Sequence, residues 1–285
     1  LTIVAMGTSL PETAVSVTAS LVNNNELAVS NVVGSNIFNL MVVVGVCSIL
    51  TPILVQKETI KRDIPFSMIC AFLLLGLGIL AVGDKSGMTL GHLDGMILLG
   101  FFAGYIVAMI QSAMKARAAG KNVEIEGIEE LEEEIGILSW PKSILFIVGG
   151  ALAIAFGGDL TVDAASRIAI DLGMSQTLVG LTIVSIGTSL PELVTSVVAA
   201  RKNEVDMAVG NAVGSNIFNI LMVLGIASAI NPVALIRENI IDIVILIVFS
   251  LIVWIYAATK RKISRKEGIS MVCLYLIYAG YIIWR

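Results

Sequence analysis

The chain has 285 residues, of which 57% are hydrophobic and 14% charged, and a formal net charge of −4. Its mean hydropathy is +0.94. A soluble domain carries roughly a quarter charged residues, so a water-soluble fold could not bury this much apolar surface. The composition therefore predicts an all-α polytopic membrane protein whose partner is the lipid bilayer, and nothing in it points to a nucleic-acid partner.

Nine segments are long and apolar enough to cross a membrane, since about 20 such residues span the hydrocarbon core as a helix. They are 1–22, 27–54, 64–83, 92–114, 141–167, 176–200, 205–231, 239–259 and 267–284. One long polar connection, 115–139, separates the fourth span from the fifth. We therefore divide the chain into a first half at 1–114, a loop at 115–140 and a second half at 141–285.

Lysine and arginine residues in the loops predict the orientation, because cytoplasmic loops carry an excess of both. If the first span ends outside, inward loops hold 14 of the 18 basic residues. The four outside are Lys85, Arg167, Arg237 and Arg285. This bias places the 115–139 loop in the cytoplasm and the C-terminus outside.

An internal repeat relates the two halves. Residues 4–45 read VAMGTSLPETAVSVTASLVNNNELAVSNVVGSNIFNLMVVVG, and residues 184–225 read VSIGTSLPELVTSVVAARKNEVDMAVGNAVGSNIFNILMVLG, at a constant offset of 180. An odd number of predicted crossings separates the copies, so they run in opposite directions. Secondary transporters are often built from such inverted repeats, with substrate bound where the repeats meet.

The second repeat has a predicted helix, 141–167, ahead of its motif, whereas only six residues precede Gly7 in the first. We therefore expect the natural protein to have one further helix, within about 40 residues upstream of Leu1. The predicted fold is two inverted repeats of five helices, with the first helix absent from this chain.

Each repeat opens with GTSLPE, which brings a carboxylate and a proline into an apolar span. A charge at the bilayer centre costs about 2.5–3.5 kcal/mol on insertion scales, so Glu12 and Glu192 predict a functional site. Pro11 and Pro191 lack an amide proton and favour a broken helix with free backbone carbonyls. Irregular backbone at membrane depth is tolerated only inside the protein or beside a cavity.

A second motif, GSNIFN, adds hydroxyl and amide oxygens to each repeat. Ser35 and Asn39, like Ser215 and Asn219, lie four residues apart and share a helix face. The candidate metal ligands in both motifs are all oxygen atoms, and neither motif contains a histidine or a cysteine. Such ligands select hard cations, and two carboxylates match the charge of one Ca²⁺. Na⁺ can use the same hydroxyls and carbonyls, so the motifs predict competition between ions, which exchange requires.

With both motifs present in both halves, the chain resembles the cation/Ca²⁺ exchanger superfamily, and most closely its Na⁺/Ca²⁺ exchanger branch of prokaryotic type. The resemblance covers essentially the whole chain. It implies a secondary antiporter, not an enzyme, that exchanges Na⁺ for Ca²⁺ by alternating access and uses no cofactor. In the family, the helix before each motif slides across the core, as 141–167 would here. We expect a multi-pass protein of the plasma membrane that acts as a monomer.

The resemblance also implies roles for the motif residues. Glu12 and Glu192 would bind Ca²⁺ together with the backbone carbonyls of Thr8 and Thr188. The Na⁺ ligands would be Ser9, Ser189, Ser35, Ser215 and the backbone carbonyls of Ala5 and Ser185. Asn39 and Asn219 would lie at the centre of the cluster. Some K⁺-dependent relatives carry an aspartate where Asn219 stands, which argues against a K⁺ requirement here.

Alternatives remain open at this point. A Ca²⁺/H⁺ antiporter of the same fold is the nearest, because buried carboxylates carry protons as readily as metal ions. A K⁺-dependent Na⁺/Ca²⁺ antiporter is another. An inverted repeat with one midplane site disfavours a cation channel. No Ser/His or Asp/Asp arrangement supports a membrane enzyme, and the single histidine, His92, lies beside a loop.

Overall fold

The computed structural model describes residues 2–22, 24–80, 88–118, 167–202 and 205–285, together with scattered positions between 141 and 164. The predicted loop at 115–140 and the predicted span at 141–167 thus fall largely outside the described residues. Within the described residues the chain is almost entirely helical.

The described helices follow one another in an order that is similar in the two halves. They are α1 (Thr2–Thr8), α2 (Leu10–Leu21), α3 (Asn25–Phe38), α4 (Val44–Leu50), α5 (Ile64–Leu80), α6 (His92–Ala118), α7 (Gln176–Val179), α8 (Ser185–Thr188), α9 (Leu190–Arg201), α10 (Val205–Phe218), α11 (Leu224–Ile230), α12 (Arg237–Lys260) and α13 (Arg265–Trp284). Short π-helical segments join several of these into longer helices, at Asn39–Val43, Thr59–Asp63, Gly180–Val184 and Asn219–Val223.

Both copies of GTSLPE interrupt a helix at their serine. Ser9 has φ −84° and ψ 11°, and Ser189 has φ −87° and ψ 6°, so ψ departs from helical values in both. A proline follows within the first two positions of each next helix, where its missing N–H is tolerated. The helical segments on the two sides of Ser189 are bent by 42°.

Six helical segments of the described residues are long and apolar enough to cross a membrane, or seven if the bent pair at Ser189 is one span. The six are Glu26–Leu50, Thr59–Leu80, His92–Ser112, Met207–Ile230, Arg237–Lys260 and Arg265–Trp284. The predicted start of the third span at 64 is wrong, because the helix already includes Thr59–Asp63. Lys61 and Arg62 lie in this first part, and long basic side chains at a helix end can extend to the membrane surface.

Two short strand pairings, which the sequence did not predict, join the ends of the helices. β1 (Ile53–Leu54) pairs antiparallel with β4 (Lys262–Ile263), and β2 (Thr89–Leu90) pairs with β3 (Val233–Ala234). Each pairing connects a segment of the first half to a segment of the second, and one residue of every strand is fully buried in the hydrophobic core: Ile53, Leu90, Val233 and Ile263.

Helices of the two halves also pack directly on each other. Helix α6 lies against α11, and α13 lies against α4. Gly95 of α6 is needed at the first contact, because a Cβ there would meet the backbone nitrogen of Ala229, and would lie 2.8 Å from the carbonyl oxygen of Gly225. Small residues allow such close approach between helices in a membrane.

Replacing Gly95 by valine is therefore expected to destabilise the protein, since the obstructing atoms belong to the backbone and cannot rotate away. Overpacking of this kind typically costs about 1–3 kcal/mol. The matched control is Gly104→Val on the same helix, where a Cβ would meet nothing within 4 Å. Thermal unfolding in detergent checks the pair: Gly95→Val should unfold at lower temperature and Gly104→Val at that of the wild type. Equal behaviour of the two variants would contradict the packing described.

Candidate cation site

The broken helices meet the GSNIFN helices of the opposite repeat. Helix α1 contacts α10, and α8 contacts α3. The glycine of each GSNIFN lies at the contact: a Cβ on Gly34 would approach Ser185 Oγ to 2.7 Å, and one on Gly214 would approach Ala5 Cβ to 3.1 Å. The sequence thus positions the two breaks by placing its smallest residue where the backbones come closest.

The two acidic side chains at this crossing are fully buried, and each is bound by a serine from the other repeat. Ser9 Oγ donates to Glu192 Oε1 at 3.1 Å, and Ser189 Oγ donates to Glu12 Oε1 at 3.0 Å. Ser215 Oγ donates a further bond to Glu192 Oε1 at 3.3 Å. Glu12, Glu192 and the three serines are all 0% exposed. The structure thus places each predicted carboxylate in a hydrogen bond with the GTSLPE serine of the opposite repeat.

Four oxygens in this region accept no hydrogen bond from the described residues. They are Oε2 of Glu12, Oε2 of Glu192, Oδ1 of Asn39 and Oδ1 of Asn219. Buried polar atoms are nearly always paired, because leaving one unpaired costs free energy comparable to a lost hydrogen bond. The four oxygens come in two pairs at the repeat offset of 180. Such a set of buried acceptors, two of them on carboxylates, is suited to bind a cation.

The threonine of GTSLPE is buried in the second repeat and partly exposed in the first. Thr188 Oγ1 donates to Asn31 Oδ1 at 3.2 Å and lies 3.3 Å from Ser35 Oγ. Ser35 Oγ also donates to the backbone oxygen of Ser185 at 3.3 Å. Thr8, by contrast, is partly exposed and donates to the backbone oxygen of Ala5 at 3.3 Å. The two threonines therefore have different surroundings in this conformation.

The sequence predicts free carbonyls near 5–8 and 185–188, and those of Ala5 and Ser185 are not among them. The oxygen of Ala5 accepts the N–H of Ser9 at 3.1 Å, and that of Ser185 accepts the N–H of Ser189 at 3.2 Å. The prolines instead remove the helical partner of the residue four positions earlier, which is Gly7 for Pro11. Each of these carbonyls also accepts from a hydroxyl, Ala5 from Thr8 Oγ1 and Ser185 from Ser35 Oγ, both at 3.3 Å, so an ion would have to replace one of these bonds.

The first asparagine of each GSNIFN motif was not among the site residues predicted from the sequence. Asn36 and Asn216, the third residues of GSNIFN, are 0% and 1% exposed. Both hydrogen-bond across the crossing of α3 and α10, to each other's backbone oxygen at 3.3 and 3.1 Å. Both could have been predicted from the sequence, because they recur at an offset of 180 within an apolar segment.

No three His, Cys, Asp or Glu side chains converge anywhere in the part of the chain that the structure describes. The charge at the repeat crossing is therefore that of two carboxylates, and the remaining donors are neutral. Two carboxylates match the charge of one divalent cation, and hydroxyl, amide and carbonyl oxygens are ligands that such a cation accepts.

Comparison with known proteins decides the family. A model of the sodium/calcium exchanger protein family matches residues 1–111 and 142–284. The chain belongs to the sodium/calcium exchanger family. The resemblance carried by GTSLPE and GSNIFN is thereby confirmed, and the chain is a multi-pass integral membrane protein of a transporter family rather than of an enzyme family.

Individual proteins match over nearly the whole chain. The sodium/calcium exchanger MaX1 of Methanosarcina acetivorans is 31% identical over 302 residues, which cover 98% of this chain and 86% of that protein. The inner membrane protein YrbG of Escherichia coli K12 is 31% identical and covers 100% of this chain and 83% of its own length.

The fold is similar to that of the sodium-calcium exchanger NCX_Mj, whose crystals were soaked with Na⁺ and Sr²⁺. The TM-score is 0.75 at 30% sequence identity, and the match covers 98% of this chain and 84% of that one. This exchanger-family chain therefore shares the helical membrane fold of NCX_Mj, and cation exchange that includes Ca²⁺ is the activity its family supports.

Proposed function

We propose that the protein is a secondary antiporter that exchanges Na⁺ for Ca²⁺ across the plasma membrane by alternating access. The observation that carries the proposal is the pair of buried carboxylates, Glu12 and Glu192, each with one oxygen that accepts no hydrogen bond from the described residues. The family to which the chain belongs indicates Na⁺ and Ca²⁺ as the two cations. The carboxylate, hydroxyl, amide and carbonyl oxygens of the site explain how one protein could bind both.

In this proposal Ca²⁺ lies between the repeats and neutralises the two carboxylates. Its ligands are the free oxygens of Glu12 and Glu192 with the backbone carbonyls of Thr8 and Thr188. Na⁺ uses the hydroxyls and carbonyls around the same centre. Its proposed ligands are Ser9, Ser189, Ser35, Ser215 and the carbonyls of Ala5 and Ser185, with Asn39 and Asn219 completing the cluster.

Competition follows from the shared pair of carboxylates. Ser9 and Ser189 donate to the glutamates when no ion is bound, and can instead turn their lone pairs towards Na⁺, because a hydroxyl both donates and accepts. Na⁺ and Ca²⁺ both draw on the negative charge of Glu12 and Glu192, so the two are not bound independently. Mutually exclusive loading is what couples the movement of one ion to that of the other.

We further propose nine spans in this chain, arranged as two inverted repeats with the 115–140 loop cytoplasmic and the C-terminus outside. The strand pairings support this arrangement. β1, at the inner end of the predicted span 27–54, and β4 lie on the side that the positive-inside count places in the cytoplasm, and β2 and β3 belong to loops that it places outside. Each pairing therefore joins segments on one side of the membrane, as the topology requires.

Flux into proteoliposomes tests the function. Protein reconstituted with internal Na⁺ should take up ⁴⁵Ca²⁺ when external Na⁺ is absent, at fixed pH and without K⁺, and uptake should cease when the Na⁺ gradient is removed. Gradients of Na⁺, K⁺ and H⁺ imposed one at a time identify the coupling ion. The proposal fails if Ca²⁺ uptake is indifferent to Na⁺.

A Ca²⁺/H⁺ antiporter is the second candidate, because the free carboxylate oxygens of Glu12 and Glu192 could each take a proton in place of a metal ion. An H⁺ gradient that drives Ca²⁺ uptake without Na⁺ would favour this reading. Uptake that needs K⁺ together with Na⁺ would instead favour a K⁺-dependent exchanger.

A further inference from the structure

Four asparagines form a closed hydrogen-bonded group where α3 crosses α10. Asn36 Nδ2 donates to the backbone oxygen of Asn216 at 3.3 Å, and Asn216 Nδ2 donates to that of Asn36 at 3.1 Å. Their side-chain oxygens are used as well: Asn219 Nδ2 donates to Asn36 Oδ1 at 3.1 Å, and Asn39 Nδ2 donates to Asn216 Oδ1 at 3.3 Å. We call these four residues the asparagine ring.

The hydrogen bonds of the asparagine ring determine the orientation of a side-chain amide, that is, which way its oxygen and its NH₂ point. An amide carries an oxygen that accepts and an NH₂ that donates, and the two ends are nearly equal in size. A half-turn of Asn39 or Asn219 would therefore place an NH₂, with its positive edge, where a cation needs an oxygen. Hydrogen bonding decides between the two orientations, since shape alone does not.

Asn36 and Asn216 supply that hydrogen bond and are themselves fixed. Each binds a neighbour's backbone oxygen through Nδ2, so its own Oδ1 must point away from that backbone. Each Oδ1 then binds the NH₂ of the opposite repeat's central asparagine. As a result the oxygens of Asn39 and Asn219 are left as buried acceptors that no described residue binds.

We propose that Asn36 and Asn216 are positioning residues, which hold the amides of Asn219 and Asn39 with their oxygens turned towards the transported cation. The inference rests on the proposed function, since it concerns the same ions. Asn36 and Asn216 themselves are not ligands, because both polar atoms of each side chain are already engaged within the asparagine ring.

Removing the hydrogen bond that orients a central amide is expected to weaken Ca²⁺ binding strongly. In Asn36→Leu the NH₂ of Asn219 loses its acceptor, and the amide is no longer held with its oxygen towards the ion. The half-saturating Ca²⁺ concentration should rise roughly 10- to 100-fold, the range produced by removing a group that orients a metal ligand. The measurement is Ca²⁺-dependent thermal stabilisation of purified protein, which needs no transport.

Replacing Asn219 by aspartate distinguishes a positioning role of Asn36 from a role in packing alone. Aspartate presents an oxygen in either orientation, so it does not depend on Asn36 for the correct end. Within the Asn219→Asp background, adding Asn36→Leu should change the half-saturating Ca²⁺ concentration far less than it does in the wild type, by about twofold at most. An equal loss in both backgrounds would show that Asn36 acts through packing alone and would overturn the proposal.

The symmetry-related pair repeats the test at the other position. Asn216→Leu should weaken Ca²⁺ binding in the wild type and should do so far less in Asn39→Asp. This pair also serves if Asn36→Leu does not fold, as judged by its unfolding temperature without Ca²⁺. A leucine at either position that leaves Ca²⁺ binding unchanged refutes the role of the asparagine ring. Failure of the proposed function is distinct, because wild-type protein would then show no Na⁺-driven flux.

Discussion

Glu12→Gln and Glu192→Gln are each expected to abolish Na⁺-driven Ca²⁺ uptake while leaving the protein folded in the membrane. Glutamine has nearly the shape of glutamate, and its side-chain oxygen can still accept the bond from Ser189 or Ser9. The pocket, however, would keep one negative charge instead of two, and a Ca²⁺ ion would be buried without being neutralised.

The size of the effect follows from that imbalance. Removing one partner of a buried charge pair typically costs about 3–5 kcal/mol, and 1.4 kcal/mol is tenfold in affinity, so Ca²⁺ binding should weaken roughly 10²- to 10³-fold or more. Uptake of ⁴⁵Ca²⁺ into proteoliposomes measures transport, and loss of Ca²⁺-dependent thermal stabilisation shows that binding itself is affected.

Glu58→Gln is the matched control, because Glu58 is exposed and is not one of the proposed cation ligands. It removes the same charge from the chain and should leave both uptake and stabilisation close to wild type. Wild-type Ca²⁺ flux in either buried variant would refute the assignment of Glu12 and Glu192 to the cation site. Loss of flux in Glu58→Gln as well would mean that the loss reflects overall charge.

Much of the helical layout could be predicted from the sequence, because its causes are local. Apolar length alone gives the spans near 92–114 and 239–259, which agree closely with His92–Ser112 and Arg237–Lys260. Proline chemistry likewise gives the interruption of each GTSLPE helix. The third span was placed too late because Lys61 and Arg62 were taken as loop residues, whereas basic side chains at a helix end can extend to the surface.

What could not be predicted depends on contacts between distant parts of the chain. The motif shows that Ser9 and Glu12 share a helix face, but the structure pairs Ser9 with Glu192, which is 183 residues away. Free carbonyls were predicted only to within the stretches 5–8 and 185–188, because the sequence does not show which residue of a broken helix loses its partner, and Ala5 and Ser185 keep theirs. The asparagine ring needs two helices at one crossing, and single-repeat spacing does not contain that information.

Ser9→Ala and Ser189→Ala are expected to weaken the binding of Na⁺ much more than that of Ca²⁺. Each serine is a proposed Na⁺ ligand, and without an ion each donates to the glutamate of the other repeat at 3.1 or 3.0 Å. Alanine removes a ligand from the Na⁺-bound state. It also removes a hydrogen bond to a charged group from the ion-free state, and such a bond is worth about 1.5–3 kcal/mol.

These two losses act differently on the two cations. For Na⁺ the lost ligand and the lost hydrogen bond partly offset each other, and a net loss of about 1.4 kcal/mol would raise the half-saturating Na⁺ concentration tenfold. The proposed Ca²⁺ ligands, by contrast, are the glutamates and the carbonyls of Thr8 and Thr188, so Ca²⁺ loses no ligand. Removing the competing hydrogen bond leaves Ca²⁺ binding unchanged or strengthens it.

Paired titrations of the same proteoliposomes with Na⁺ and Ca²⁺ measure this change in selectivity. Ser48→Ala is the control, since Ser48 is fully buried but donates only to backbone oxygens of its own helix, those of Val44 and Gly45, each at 2.9 Å. It should leave both titrations unchanged. If Ser9→Ala weakened both cations equally, the serine would act by supporting Glu192 rather than by binding Na⁺. Distinct Na⁺ ligands around a shared pair of carboxylates would then no longer describe how the two ions compete.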